Sequence, residues 1–159
     1  MPMAPVPTTR ARAVAWASVA AWTALVLTLS TDSFSAGQTS RIVGPLLDLF
    51  FPGLDPATKA FVHAAVRKLA HFVEYAVLGV LAWRALALAP GRSARRAGVL
   101  ALVLAGAVAC TDEAGQSLRA ERTGSRRDVV LDVAGAGFGV SLALGVSTAL
   151  GRLRGKGSG

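Results

Sequence analysis

The sequence has few cysteines and few charged residues, the residues that cross-link small domains and keep soluble ones in water. It has one cysteine, Cys110, among 159 residues, so an intrachain disulfide is excluded and no cysteine-based metal spacing exists. Charged residues make up only 16% of the chain and apolar residues 53%, against roughly 25% charged in ordinary globular domains. A soluble single domain is therefore disfavoured, and a bilayer is the expected solvent.

Four apolar runs approach the length of about 20 residues that a helix needs to cross about 30 Å of hydrocarbon. They predict an all-α, polytopic four-helix transmembrane bundle with spans at about 13–31, 69–89, 97–111 and 133–151. The second span carries His71, Glu74 and Arg84, and the third is short. The first run also fits a secretory signal, but its length favours an uncleaved anchor. The bundle then occupies residues 13–151, between an N-terminal segment (1–12) and a basic tail (152–159).

The charges predict the orientation of these spans. Eight Lys or Arg residues, with no acid among them, lie in residues 10–12, 92–96 and 152–156, while the rest of the chain holds nine basic and nine acidic residues. Four crossings place the three basic segments on one side, which the positive-inside rule makes cytoplasmic. The prediction is a multi-pass protein of the cytoplasmic membrane with both termini inside. Nucleic-acid binding is disfavoured, because no recognition motif accompanies the basic residues.

The first outer connection, residues 32–57, contains several glycines and prolines that interrupt any long helix. Its middle is nevertheless apolar: the run contains Ile42, Val43, Leu46, Leu47, Leu49, Phe50 and Phe51. Two interpretations are equally supported. The run forms a short interfacial or re-entrant segment at the membrane surface, or it packs down on the bundle.

Polar residues near one end of the spans form the candidate site. Lys68, His71 and Tyr75 share a helix face, with Glu74 at its edge. The topology brings the start of the second span, the end of the third and the start of the fourth to the same outer boundary. Ionisable groups at membrane depth are costly unless they face inward and pair. The candidate residues are Lys68, His71, Glu74, Tyr75, Asp112, Glu113, Gln116, Arg119, Arg122, Asp128 and Asp132.

A small-residue motif predicts that the fourth span packs tightly. Gly135 and Gly139 are spaced as GxxxG, beside Ala134, Ala136 and Gly137. Small residues at this spacing let helix backbones approach closely in lipid. The bundle is therefore expected to be compact and not to enclose a wide pore.

Two motifs resemble those of the VanZ-like membrane proteins. The first reads Arg67-Lys68-x-x-His71-Phe72-x-x-Tyr75-x-x-Leu78-Gly79, and the second contains Asp112, Glu113, Gln116, Arg122, Asp128, Asp132 and Gly135 in order. With Ser33, Gln38 and Ser40 the resemblance covers about three quarters of the chain. One departure is Asp132, which stands where many members have Asn. The name-giving members are linked to lowered susceptibility to teicoplanin-type glycopeptides, without an established chemical mechanism.

Three functions compete for the polar cluster. In the first, it binds or modifies the head group of an envelope lipid or lipid-linked wall precursor, because Lys68, Arg119 and Arg122 suit phosphate. In the second, the protein is a membrane-embedded enzyme that uses His71, Glu74, Asp112 and Glu113, although no nucleophile motif or metal-ligand spacing supports one. In the third, the charges only tie helices together. No cofactor and no metal is predicted, and the oligomeric state is left open.

Overall fold

The computed structural model describes residues 7–30, 36–117 and 126–156, and within these ranges the regular structure is entirely helical. Ser33, Arg119 and Arg122 lie outside the described residues, as do the side chains of Gln38 and Ser40. Five helices follow one another along the chain: α1 (Thr9–Leu29), α2 (Ala36–Phe50), α3 (Pro56–Ala87), α4 (Ala94–Ser117) and α5 (Arg126–Lys156).

Four of the five helices, α1, α3, α4 and α5, are long and apolar enough to cross a membrane. The predicted all-α, four-span bundle is therefore confirmed. The helices extend beyond the apolar runs, since α3 begins at Pro56 and α4 continues to Ser117. Hydropathy locates only the apolar part of a span, whereas backbone hydrogen bonding continues the helix past it. The polar residues near the ends of the apolar runs therefore lie on helices.

The start of α3 is fixed by a capping residue. Asp55 accepts hydrogen bonds from the backbone amides of Ala57 and Thr58, both at 3.0 Å, and Pro56 occupies the first turn, where its missing N–H costs nothing. The Thr58 hydroxyl donates to the same carboxylate and is the main reason that the pKa of Asp55 lies below its ordinary value. Nearby, Lys59 pairs with Asp48 of α2. These contacts join α2 to the beginning of α3.

The apolar run in the first connection forms α2 and points several large side chains away from the protein. Leu49 is 72% exposed and Phe50 is 68% exposed, so these two residues do not pack on the bundle. Phe51 and Phe61 are exposed in the same region. An amphipathic helix of this kind suits a membrane surface, and the interfacial placement of α2 stays a prediction.

Helices α3 and α5 pack backbone against backbone through three glycines. A Cβ built on Gly79 would stand 2.5 Å from the backbone oxygen of Ala136. A Cβ on Gly135 would collide with the carbonyl of Phe72, and one on Gly139 with the carbonyl of Ala76. Real Cβ atoms essentially never come within 3.0 Å of another heavy atom. The GxxxG motif therefore sits at the closest helix contact, in agreement with the predicted tight packing.

The rest of the bundle interior is built mainly from alanine. Ala82, Ala97, Ala101, Ala105 and Ala109 are fully buried, and the fully buried large side chains are few: Val26, Tyr75 and Leu78. In lipid, helix association depends on close van der Waals contact more than on a hydrophobic driving force. Small residues permit that contact along most of the bundle.

The connection between α3 and α4 is short and marks one end of the bundle. Gly91 adopts a φ of +70° in this turn, a left-handed conformation that glycine takes without steric cost. The indole N–H of Trp83 donates to the backbone oxygen of Ala94 at 3.2 Å, which ties the two helices across the turn. At the opposite end, the site end, α1 and α4 finish and α3 and α5 begin.

Candidate functional site

Side chains from four helices meet at the site end. The hydroxyl of Ser30, the C-cap of α1, donates to Asp112 Oδ2 on α4 at 2.8 Å. Lys68 Nζ on α3 lies 3.3 Å from Asp128 Oδ1 on α5. Helix ends that are far apart in sequence are thus linked by polar contacts, as the predicted topology requires.

Asp112 is the centre of a buried hydrogen-bond group. It is 6% exposed, and its Oδ2 atom also accepts from Gln116 Nε2 at 3.0 Å, one helical turn later. The donors are equally buried, with Ser30 at 2% and Gln116 at 5% exposure. Two neutral donors on one oxygen fix the orientation of the carboxylate, because satisfied buried polar networks are rigid.

A second buried carboxylate, Asp132 of α5, faces His71 of α3. Asp132 is 3% exposed, and its Oδ1 atom lies 3.6 Å from His71 Nδ1. Within the described residues, Oδ1 has no hydrogen-bond partner. One ligand atom each of His71, Asp112 and Asp132 can be chosen so that all three lie within 4.8 Å of one another. Two aspartates and a histidine from three helices therefore share one small volume.

A cavity of about 120 Å³ opens beside this group. Its polar wall carries two cations, Arg67 and Lys68, and three acids. The full lining comprises Ala64, Arg67, Lys68, His71, Glu113, Gln116, Asp128, Leu131 and Asp132. Most of the predicted site residues that the structure describes are thus collected around one opening between α3, α4 and α5.

Three predicted residues do not line the cavity. Asp112 is buried in the hydrogen-bond group that it forms with Ser30 and Gln116. Tyr75 is completely buried, and its hydroxyl has no hydrogen-bond partner among the described residues. Glu74 is partly buried, and its backbone oxygen accepts from the indole of Trp22 at 2.9 Å. These residues support the site from within the bundle, while Arg119 and Arg122 fall outside the described part of the chain.

Sequence reasoning missed two contributors to the site. Arg67 belongs to the first motif but was not among the candidate residues, although its position one turn before His71 would have indicated it. Ser30 gave no signal, because its role depends on the approach of α1 to α4, which is a tertiary contact. Both are needed to describe the site, since Arg67 lines the cavity and Ser30 holds Asp112.

An all-helical chain with four potential spans and buried polar contacts between them is a multi-pass membrane protein. Residues 15–148 match the family described as VanZ/LLP1, and the chain therefore belongs to the VanZ/LLP1 family. This confirms the resemblance carried by the two motifs. Comparison with curated proteins gave no match. Comparison with solved structures also gave no match.

Proposed function

We propose that the protein binds the phosphate-bearing head group of a cell-envelope lipid or lipid-linked wall precursor, at the outer face of the cytoplasmic membrane. The observation that carries the proposal is the cavity at the site end, with Arg67 and Lys68 in its wall. The basic segments at residues 10–12, 92–96 and 152–156 support the orientation, because they belong to the opposite end of the spans.

The two cations are suited to a phosphate for different reasons. Arg67 forms no ion pair within the described part of the chain, so its planar guanidinium can take two phosphate oxygens at once. Lys68 is paired with Asp128, but its side chain is 59% exposed. An exposed pair of this kind contributes only about 0–1 kcal/mol, so a phosphate can compete for the ammonium group.

The place of the cavity between spans suits a lipid more than a free solute. Val66 and Leu69, which flank the two cations in the sequence of α3, are exposed apolar side chains, as is Phe61 nearer the start of the helix. A bound head group would lie in the cavity while its chains contact this apolar surface, where hydrocarbon is the surrounding solvent. If the head group belongs to a wall precursor, we propose that the protein also alters susceptibility to teicoplanin-type glycopeptides.

The second candidate function is structural: the polar contacts only hold the helices together. The Ser30 to Asp112 and Lys68 to Asp128 contacts each join two helices, and interhelical polar contacts stabilise membrane bundles. The two candidates make different predictions for the cations. A tie predicts that Lys68→Gln lowers the amount of folded protein, whereas head-group binding predicts a folded variant that has lost its lipid.

The test is lipid binding by purified protein in detergent, followed by native mass spectrometry with phosphatidylglycerol, a polyprenyl phosphate and uncharged diacylglycerol as probes. We expect the wild type to retain at least one phosphate-bearing lipid and to release diacylglycerol. Arg67→Gln and Lys68→Gln should each weaken retention about tenfold, because a hydrogen bond to a charged group contributes about 1.5–3 kcal/mol.

Lys59→Gln is the matched control, since it removes one lysine of α3 that pairs with Asp48 and does not line the cavity. It should retain lipid like the wild type. If folded Arg67→Gln and folded Lys68→Gln retained the phosphate-bearing lipid as well as the wild type does, the proposal would be contradicted. So would equal binding of diacylglycerol and the phosphate-bearing lipids.

A further inference from the structure

We propose that His71, Asp112 and Asp132 bind one divalent transition-metal cation, of the Zn²⁺ or Mn²⁺ class, beside the cavity. This goes beyond head-group binding and stands on separate residues, so either proposal can fail without the other. It also departs from the expectation of no metal, which rested on the absence of ligand spacing within any one stretch of sequence.

The geometry is the first support. The three ligand atoms come from α3, α4 and α5 and lie within 4.8 Å of one another. His71 Nδ1 and Asp132 Oδ1 are 3.6 Å apart, close to the separation of about 3.4 Å that two ligands have around a tetrahedral Zn²⁺ with bonds of about 2.0–2.1 Å. Because each ligand is on a different helix, sequence spacing could not reveal the group.

The buried charge is the second support. Asp112 and Asp132 are 6% and 3% exposed, and two neighbouring carboxylates in such a place repel each other and lose hydration. The described lysine ion pairs, Lys59 with Asp48 and Lys68 with Asp128, are made to other acids, and the basic group that faces Asp132 is His71, itself a proposed ligand. A divalent cation would neutralise both buried carboxylates together.

The third support is a buried ligand atom that makes no hydrogen bond. Asp132 Oδ1 is buried and makes no hydrogen bond among the described residues, with His71 Nδ1, a second proposed ligand, facing it at 3.6 Å, whereas buried carboxylate oxygens normally accept a hydrogen bond. The same residue lines the cavity, which gives a cation a path from the site end and room for water as a further ligand. Asp112 is already oriented by Ser30 and Gln116, the kind of outer support that metal ligands have.

The ligand types narrow the class of metal. One imidazole and two carboxylates suit Zn²⁺ or Mn²⁺, whereas Mg²⁺ and Ca²⁺ prefer oxygen ligands alone. Three protein ligands leave at least one position open, which is the arrangement of sites that act on a bound molecule. With a divalent cation neutralising Asp112 and Asp132, the other charges of the cavity wall, two cations and two acids, would balance.

The test measures metal binding directly, without any lipid. Protein purified in detergent is stripped with a chelator and dialysed against Zn²⁺ or Mn²⁺ alone, and bound metal per chain is measured by elemental mass spectrometry. We expect one equivalent in the wild type. His71→Ala, Asp112→Asn and Asp132→Asn should each weaken binding by more than about tenfold, since loss of even a supporting residue costs about 10–100-fold.

Asp48→Asn is the control, because it removes one carboxylate on α2, outside the cluster, and it should still bind one equivalent. Size-exclusion chromatography reports whether each variant is folded. The wild-type measurement tests the metal site even if a variant does not fold. If folded wild-type protein binds no stoichiometric metal, the proposal is overturned. Unchanged binding by any folded variant of the three ligands also overturns it.

Discussion

Gly139→Ala is expected to destabilise the protein strongly, although it adds a single methyl group. The new Cβ would collide with the backbone carbonyl of Ala76, and a backbone atom cannot move aside as a side-chain tip can. Helices α3 and α5 must then separate, and overpacking of this kind costs about 1–3 kcal/mol. Thermal unfolding of detergent-purified protein, followed by size-exclusion chromatography, should show a lower midpoint and less folded protein.

Gly145→Ala is the matched control on the same helix. A Cβ at Gly145 meets no atom within 4 Å, and alanine is a better helix former than glycine by about 1 kcal/mol. Its unfolding midpoint should equal or exceed that of the wild type. Equal midpoints for the two variants would show that α3 and α5 are not in backbone contact at Gly139.

Tyr75→Ala is expected to have the largest effect of any substitution in the interior. Tyr75 is completely buried, at 0% exposure, in a bundle whose other described buried positions are mostly small residues. Removing the ring leaves a cavity that small, closely packed neighbours cannot fill, and truncation of a buried aromatic costs on the order of 3 kcal/mol. The expected result is a large loss of folded protein in the same unfolding assay.

Tyr75→Phe separates the packing of the ring from the role of the hydroxyl. The hydroxyl has no hydrogen-bond partner among the described residues, so its removal should leave the unfolding midpoint close to that of the wild type. A loss of stability as large as that of Tyr75→Ala would mean that the hydroxyl has a partner essential to folding. If Tyr75→Phe is stable but loses metal or lipid, the hydroxyl acts in the site.

The architecture was predictable because lipid leaves few choices. Backbone polar groups in hydrocarbon must be satisfied within helices, so apolar runs translate directly into spans. The GxxxG pattern of Gly135 and Gly139 also predicted a close helix contact correctly, because backbones can approach this closely only where side chains are absent. The partner positions on α3, the carbonyls of Phe72 and Ala76, were not predictable, since any residue presents a carbonyl.

The detail of the site depended on tertiary structure. Topology alone predicted that polar helix ends would meet, but it did not separate residues that line the cavity from Asp112 and Tyr75, which are buried and do not line it. Helix rotation decides that difference, and hydropathy does not report rotation for helices that are apolar on most faces. The contact between Ser30 and Asp112 likewise requires the approach of α1 to α4.

Asp132 departs from the family pattern, and its position in the fold shows the consequence of that departure. In the sequence it is an acid where many VanZ-like proteins have Asn. In the fold it is a buried carboxylate beside His71, where an additional negative charge requires compensation. A cation is the compensation proposed above, and Asp132→Asn restores the residue common in the family while removing that charge.

We propose that the site end faces the exterior of the cytoplasmic membrane, and labelling of intact cells with a membrane-impermeant maleimide tests this orientation most directly. Cys110, the single native cysteine and an exposed one, is first replaced by serine. Ala64→Cys then places a thiol in the cavity wall, and Ser93→Cys places one between α3 and α4. With this orientation, Ala64→Cys should be labelled in intact cells and Ser93→Cys only after permeabilisation. The reverse pattern would contradict it.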